Sequence, residues 1–439
     1  MKQKDKDWKS KLLRVPPIYG LLALLAVASG TAFNVFMSLT PLKNYAATSH
    51  LSSSPASLTG ILPGTLKHPT NILILGIDNS GHPHKGKFTP AEALSGNSDT
   101  MLLLRLLPDT HQINILSIPR DTLVHLDGVG IDKINDANVH GGTKLAATTV
   151  SKLLNRVPID RYVRIDTEGF INLVNALGEV EVNIPKKMDY TDKTQHLSIH
   201  FSSGKQKLNG QHLQEYVRFR HDALGDIGRV QRQQEVLKDI ISALISPTTL
   251  QKLPQILEVL KENIDTDLSV EEMLAVVGTV FKSDRQQVHL VMLPGRFSTK
   301  AEYRLSYWIS EPQATTKILA RYFDTSNAKL SENDVNSTQS QNFKIAVINA
   351  TGQPESSARV ISLLKKHGFR NTYVVKPAIE TTMELSQNTQ IIAQHGNPEA
   401  ANAVGQTLGT GQVQVASVGD IFSDVTVVVG KDLLDKLKE

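Results

Sequence analysis

The chain has 439 residues, 40% of them apolar and 21% charged, with a formal net charge of +4. That length holds two or three folded domains, the composition is globular, and so small a charge lacks the domain-wide basic bias of a dedicated nucleic-acid binder. The absence of cysteine excludes thiol catalysis, disulfides and thiolate metal sites.

Residues 1–14, MKQKDKDWKSKLLR, form a basic tail, and residues 15–39 form an uncharged run, VPPIYGLLALLAVASGTAFNVFMSL. Roughly 20 apolar residues span a bilayer as a helix, and basic residues ahead of the run place the N-terminus in the cytoplasm. The run continues past the small-residue AVAS around Ala26 and Ala28, which favours an uncleaved anchor over a removed signal peptide. In either case the rest of the chain is expected outside the cytoplasm. Residues 40–69 read as a linker, because Tyr45 to Pro69 is rich in Ser, Thr, Pro and Gly.

The main folded segment is expected over 70–323. NILILGID, DTMLLLRLL and QINILSIPRD are short apolar runs bounded by turn residues, the pattern of buried strands. TKLAATTVSKLLN and TEGFINLVNAL have helical spacing, EVEVNIP alternates as a strand, and IGRVQRQQEVLKDIISALI reads as a long amphipathic helix. Strands alternating with helices predict an α/β fold, an α-β-α sandwich around a central, mostly mixed sheet. Residues 324–342 read as a second linker, and 343–431 as a small separate α/β domain.

The stretch YVRFRHDALGDIGRVQRQQEVL carries Arg218, Arg220, Arg229 and Arg232. If Arg218 and Arg220 are extended, they share one face of a strand, and Arg229 and Gln233 share one face of the following helix. Gly225 and Gly228 permit a tight turn between them, and the helix starting near Gly228 would add backbone N–H groups. Such a cleft suits phosphate, which the guanidinium fork binds bidentately. A solvated charged face, paired with Asp222, Asp226 and Glu235, explains the same stretch, and the stretch alone leaves both readings open. Elsewhere, Asp78 ends the first strand, Asp99 starts the second, and Arg120 and Asp121 end the third. Strand ends line the ligand crevice of open α/β sheets. Two carboxylates there suggest a magnesium ion shared with substrate phosphates, although any one acid alone reads as a turn or cap residue.

With these residues in place, the chain resembles the LytR-CpsA-Psr family of cell-wall glycopolymer ligases. The resemblance rests on NILILGID, NSDTMLLLRL, INILSIPRDT, KINDANVHGG, VPIDRYVRIDTEGFINLVNALGEVEVNIP and LNGQHLQEYVRFRHDALGDIGRVQRQQEVL, in that order, across about Asn71 to Ile245. The tail from Phe343 to Lys431 looks like the small LytR-type domain that some members carry. The resemblance implies a glycan donor on polyprenyl pyrophosphate, a peptidoglycan acceptor, release of polyprenyl phosphate, membrane anchoring and no nucleic-acid partner. It implies that Asp78 and Asp99 are associated with magnesium, or manganese in its place, and that Arg120 is a pyrophosphate ligand at the catalytic centre. Arg218, Arg220, Arg229 and Gln233 look like the rest of the head-group clamp, Asp226 an acid orienting arginines or metal, and Lys133 a further pyrophosphate ligand. One departure stands out: Asn97 occupies a position where many members have arginine, and an amide hydrogen-bonds phosphate without neutralising it.

Asp99 is also expected to accept or orient the proton of the attacking hydroxyl. Phe170, Leu173, Val174 and Leu177 lie at helical spacing and would suit a polyprenyl tail, but that spacing is the usual pattern of ordinary core, which is the favoured reading. His82 and His84 lack further ligands nearby and read as a solvated loop, His221 as a surface histidine, and the sequon at Asn336 as chance. Two other functions fit the same residues: a polyprenyl-pyrophosphate phosphatase, in which water attacks, and a non-catalytic lipid- or wall-binding regulator of the envelope.

Overall fold

The structure, a computed structural model, describes residues 65–78, 94–184, 187–192, 197–219, 226–283, 287–323, 343–375 and 387–437, with backbone alone for 192, 197, 226–231, 247 and 250. The membrane span expected over 15–39 and most of the first linker lie outside these residues, as do His82, His84, His221 and Asn336. Among the described residues, no helix is long and apolar enough to cross a membrane.

A six-stranded mixed sheet forms the centre. Its strands are β1 (Thr70–Asp78), β2 (Asn97–Leu107), β3 (Gln112–Ile118), β6 (Arg161–Asp166), β11 (Ile264–Thr266) and β12 (Val288–Met292), in the order β11-β6-β1-β2-β3-β12. β2 runs antiparallel to β1 and β3, whereas β6 and β12 run parallel to the strands they flank. The near-continuous apolar runs of β1 to β3 follow from burial on both faces. Leu73, Leu75 and Ile77 enter one core with Ala146 and Val150 of α1 (Ala137–Leu153) and Ile318 and Leu319 of α8 (Pro312–Tyr322). Ile72 and Ile74 face the other way, onto Leu237 and Ile241 of α4 (Asp226–Leu244) and Val276 and Val280 of α7 (Val270–Lys282). Helices thus cover both faces of a mixed sheet.

Beside the sheet lies a separate apolar cluster. It gathers α2 (Thr167–Leu177), the strands β7 (Val180–Ile184), β8 (Met188–Asp192), β9 (Leu197–Phe201) and β10 (Gly204–Leu208), α3 (Gly210–Arg218), part of α4, and α6 (Leu253–Asn263), which follows the short α5 (Pro247–Leu250). Val174 and Leu177 are buried in this cluster, and Phe170 and Leu173 pack against it half-buried. A hairpin of β4 (Leu123–Leu126) and β5 (Gly130–Lys133) follows β3, and a second, of β13 (Gly295–Phe297) and β14 (Trp308–Ser310), follows β12.

Three local expectations are corrected. Arg218 does not lie on a strand: it closes α3, whose N-cap Asn209 accepts a hydrogen bond from His212 N–H at 2.9 Å, and whose Leu213 and Tyr216 are buried one turn apart. Only Phe219 beyond it is extended, with Arg220 outside the described residues. α4 begins at Asp226 rather than near Gly228. The helix expected from Thr143 is preceded by a turn over Ala137–His140, and Gly142, at φ 60° and ψ −156°, breaks the two apart in a conformation only glycine adopts readily.

A second, five-stranded sheet contains β15 (Ile345–Asn349), β16 (Thr372–Val374), β17 (Gln390–Ala393), β18 (Gln412–Val415) and β19 (Val425–Val429), in the order β16-β15-β19-β17-β18. α9 (Ser356–Lys366), α10 (Pro398–Leu408) and α11 (Lys431–Lys436) close its core. Its edge meets the edge of the central sheet. Leu290 of β12 bridges Ala416, Ser417 Oγ donates to Leu290 O at 3.4 Å, and Tyr322 Oη donates to Gly396 O at 2.8 Å. The outer edge of β12 is thereby met at Leu290.

Candidate active site

The site is built where β1 ends, β2 begins and β3 ends. β1 and β2 pair with an irregularity: Gly76 lies opposite Thr100 and Ile77 opposite Ser98, so Asp99 is the extra residue of a bulge. A bulge re-aims a side chain that regular alternation would fix. Gly76 makes this close approach workable, since a Cβ there would lie 3.0 Å from Thr100 Cβ. Asp99, so placed, accepts a hydrogen bond from Arg120 Nη1 at 2.6 Å.

From Arg120 the charges continue as a chain. Its Nε lies 3.7 Å from Asp121 Oδ2, and Asp121 Oδ1 accepts from Lys133 Nζ at 2.6 Å. Lys133 arrives through the β4–β5 hairpin, and Ile134 N–H donating to Thr122 O at 2.9 Å with Asn135 N–H donating to Arg120 O at 3.2 Å holds that return. On the other side, Arg218 Nη2 lies 3.8 Å from Asp78 Oδ2. The side chains of Asp99, Arg120, Asp121, Lys133, Asp78 and Arg218 remain 23–32% exposed, which leaves all six open to a ligand.

Asn97 Nδ2 donates to Asp136 Oδ1. Burial pushes the Asp136 carboxyl up, the Asn97 amide partly offsets that, and Asp132 adds to the rise. The asparagine thus serves an acid that an arginine would neutralise outright. α4 is tied to the end of β3, because Gln234 Nε2 donates to Ser117 Oγ at 2.7 Å. That bond brings this part of α4, with the adjacent Gln233, to the strand end. The backbones of Asp226 and Arg229 form the first turn of α4, while their side chains, and all of Arg220, lie outside the described residues.

Arg232 stands apart from its neighbours. It is 5% exposed, its Nη1 donates to Phe219 O at 2.6 Å, and its guanidinium lies 5.7 and 5.3 Å from the rings of Tyr216 and Phe219. It holds the end of α3 rather than facing a ligand. The same helix carries two further acids of altered character: burial pushes Glu235 up to about 7 and Asp239 up to about 6. Sequence reasoning assigned no role to Asp121, Asp136 or Tyr307, whose ring centre lies 5.7 Å from Lys133 Nζ. Asp121 alone carried a signal, as the residue after Arg120 at a strand end.

Among the six described groups, three cations face three carboxylates, so the cluster is close to neutral without a ligand. Additional positive charge is needed to hold a pyrophosphate. Asp78 and Asp99 lie on paired strands and offer hard carboxylate oxygens, the donor chemistry that suits magnesium or manganese. Among the described residues, no group of three or more His, Asp or Glu side chains could hold a metal ion. Magnesium takes one or two carboxylates and completes its shell with phosphate oxygens and water, so donors of this chemical kind suffice only together with a phosphate ligand.

Residues 39–322 match the LytR_cpsA_psr family, and residues 342–433 match the LytR cell envelope-related transcriptional attenuator. The chain is 32% identical over 272 residues to the polyisoprenyl-teichoic acid–peptidoglycan teichoic acid transferase TagV of Bacillus subtilis, a match spanning 61% of this chain and 66% of that relative. It is 30% identical over 305 residues to the corresponding transferase TagU of Bacillus anthracis, spanning 67% of this chain and 91% of the relative. The crystal structure of protein gbs0355 from Streptococcus agalactiae superposes with a TM-score of 0.51 at 25% identity, covering 64% of this chain and 93% of that one. The chain belongs to the LytR_cpsA_psr family.

Proposed function

We propose that the chain transfers a glycopolymer from a polyprenyl-pyrophosphate-linked donor to peptidoglycan and releases polyprenyl phosphate. One observation carries this reading: the bulge at β2 brings Asp99 to Arg120 at 2.6 Å on the edge of a partly exposed cluster of paired charges. Relatives named as transferases of polyisoprenyl-linked teichoic acid to peptidoglycan support it.

In the proposed reaction a peptidoglycan hydroxyl oxygen attacks the phosphorus next to the donor sugar. A new P–O bond forms, the bond to the bridging oxygen of the pyrophosphate breaks, and polyprenyl phosphate leaves with that oxygen. Asp99 takes or orients the hydroxyl proton, at a position set by the bulge. Arg120, Lys133 and Arg218, with Arg220, Arg229 and Gln233 of the neighbouring segment, bind the phosphate oxygens. Asp121 holds Arg120 and Lys133 in register, and Asp226 orients the arginines. Phosphoryl transfer depends on such positioning and neutralisation more than on covalent help. A magnesium ion held by Asp78 and Asp99 would stabilise charge on the phosphoryl oxygens when bound. Residues 15–39 anchor the chain with its N-terminus in the cytoplasm, so that 70–323 and 343–431 act outside.

Product analysis tests the reaction. The full chain in detergent, given a short-chain lipid-pyrophosphate glycan, should release lipid phosphate far faster with peptidoglycan fragments and join glycan to them. Equal release without acceptor, and no joined glycan, would sink the transferase reading in favour of a phosphatase. A C-terminal fusion reporter tests the topology, and a cytoplasmic signal would overturn the placement.

A further inference from the structure

The β13–β14 hairpin lies against the charged cluster but takes no part in the proposed chemistry. Its base is buried: Trp308 is 2% exposed, its Nε1 donates to Leu293 O at 3.2 Å, and Phe297 meets it edge to face at 5.2 Å. The hairpin is joined to the site, since Trp308 N–H donates to Asp121 O at 2.9 Å and Tyr307 lies beside Lys133.

The loop between its strands, Ser298 to Tyr307, is exposed over 301–306 yet heavily tied to itself. Arg296 grips Glu302 with two bonds of 2.9 and 2.6 Å, and Glu302 also accepts from Thr299 N–H at 2.8 Å and Thr299 Oγ1 at 3.0 Å. Ser298 N–H donates to Tyr307 O at 2.7 Å, and Tyr307 N–H donates to Ser298 Oγ at 2.9 Å. These bonds hold Tyr303 and Tyr307 with ring centres 5.1 Å apart at 70°. Tyr303 remains 37% exposed and Leu305 59%. An exposed tyrosine braced by a half-buried one on a pre-ordered loop is ready for a ligand that is apolar on one face and polar at its rim. Tyrosine supplies such contact rigidly, at low entropy cost.

We propose that Tyr303 and Tyr307 form a sugar-stacking platform that receives the glycan portion of a substrate beside Lys133, with the neighbouring Lys300, Arg304 and Ser306 available to its hydroxyl or anionic groups. The inference rests on the transferase reading for its choice of ligand, and deepens it. The glycan comes either from the peptidoglycan acceptor or from the sugar-phosphate end of the donor, which share pyranose faces. Tyr303 acts as a specificity residue away from the reacting atoms.

The test is binding by the full chain in detergent of two labelled probes: muramidase-released disaccharide-peptide fragments of peptidoglycan, and phosphorylated chitobiose in place of the donor's sugar-phosphate end. Tyr303→Ala should weaken one probe about tenfold, the scale of one aromatic contact, and the affected probe identifies the source. Tyr303→Phe should stay within about twofold of the wild type with an unshifted melting temperature, and Tyr303→Ala, which loses only the edge-to-face pair with Tyr307, should lower the melting temperature by no more than about 4 °C. In the transfer assay Tyr303→Ala should raise KM for the same substrate and leave kcat intact. Unchanged affinity of Tyr303→Ala for both probes would overturn the platform, as would a wild type that binds neither. A chain that shows no transfer but loses probe binding on Tyr303→Ala would refute the transferase reading and leave the platform standing.

Discussion

Replacing Gly76 with alanine tests whether the bulge aims Asp99. Gly76 faces Thr100 across the irregular pairing, and an added methyl would sit 3.0 Å from Thr100 Cβ and 3.4 Å from its Oγ1. Ordinary carbon contacts fall at about 3.5–4.0 Å, so the strands must part by about half an ångström. A catalytic group tolerates displacement of roughly 0.5 Å, and about 1 Å costs on the order of a hundredfold in rate. Gly76→Ala should therefore lower kcat about tenfold. Overpacking at one contact should cost about 1 kcal/mol, a fall in melting temperature of about 2–4 °C. The decisive assay pairs it with Thr100→Gly, which removes the opposing Cβ. The double variant should recover most of kcat, even though glycine weakens the strand. Full kcat in Gly76→Ala together with a lowered melting temperature would refute the reasoning, because the bulge would then matter to stability and not to Asp99. A rate loss that Thr100→Gly fails to restore would refute it equally.

Other perturbations have definite outcomes. Asp121→Asn removes the charge that holds Lys133 at 2.6 Å and Arg120 at 3.7 Å, so KM for the lipid donor should rise about tenfold with little change in melting temperature, read by steady-state kinetics. Arg232→Met leaves the Phe219 carbonyl without its buried donor, and chemical denaturation should show a loss of about 2–4 kcal/mol. Glu235 titrates near 7 when folded against an ordinary 4.5, so the native state holds that proton more tightly than the unfolded chain does. Its contribution to stability is complete below the ordinary value and is lost as pH rises through about 7. The melting temperature of the wild type relative to Glu235→Gln should accordingly fall between pH 5 and pH 8, and a constant difference across that range would show that burial does not act on this carboxyl.

The central strands were legible because burial on both faces writes itself as the uninterrupted apolar runs of β1 to β3. α3 was not, since its apolar face amounts to Leu213, Tyr216 and little else, and the arginines at its end drew an extended reading instead. The positions of Asp78, Asp99 and Arg120 at strand ends could be read from their flanking runs. The bulge that turns Asp99 could not, because it depends on the register with a partner strand that no local pattern encodes. Arg232 looks like its neighbours in sequence, and only tertiary packing separates a buried helix clamp from ligand-facing arginines. Tyr303 and Tyr307 lie in a segment whose loop is fixed by Arg296 and Glu302, a pairing across six residues without a regular period.

The most direct measurement is transfer itself, with the full chain in detergent, a short-chain lipid-pyrophosphate glycan, magnesium and peptidoglycan fragments. Wild type should be run beside Asp99→Ala and Arg120→Ala. Joining of glycan to the fragments that needs magnesium and falls by at least about a hundredfold in each variant is the predicted result, the scale expected when one stabiliser of transition-state charge is lost. Tight binding of the donor with no turnover, or transfer that survives both substitutions, would contradict the account.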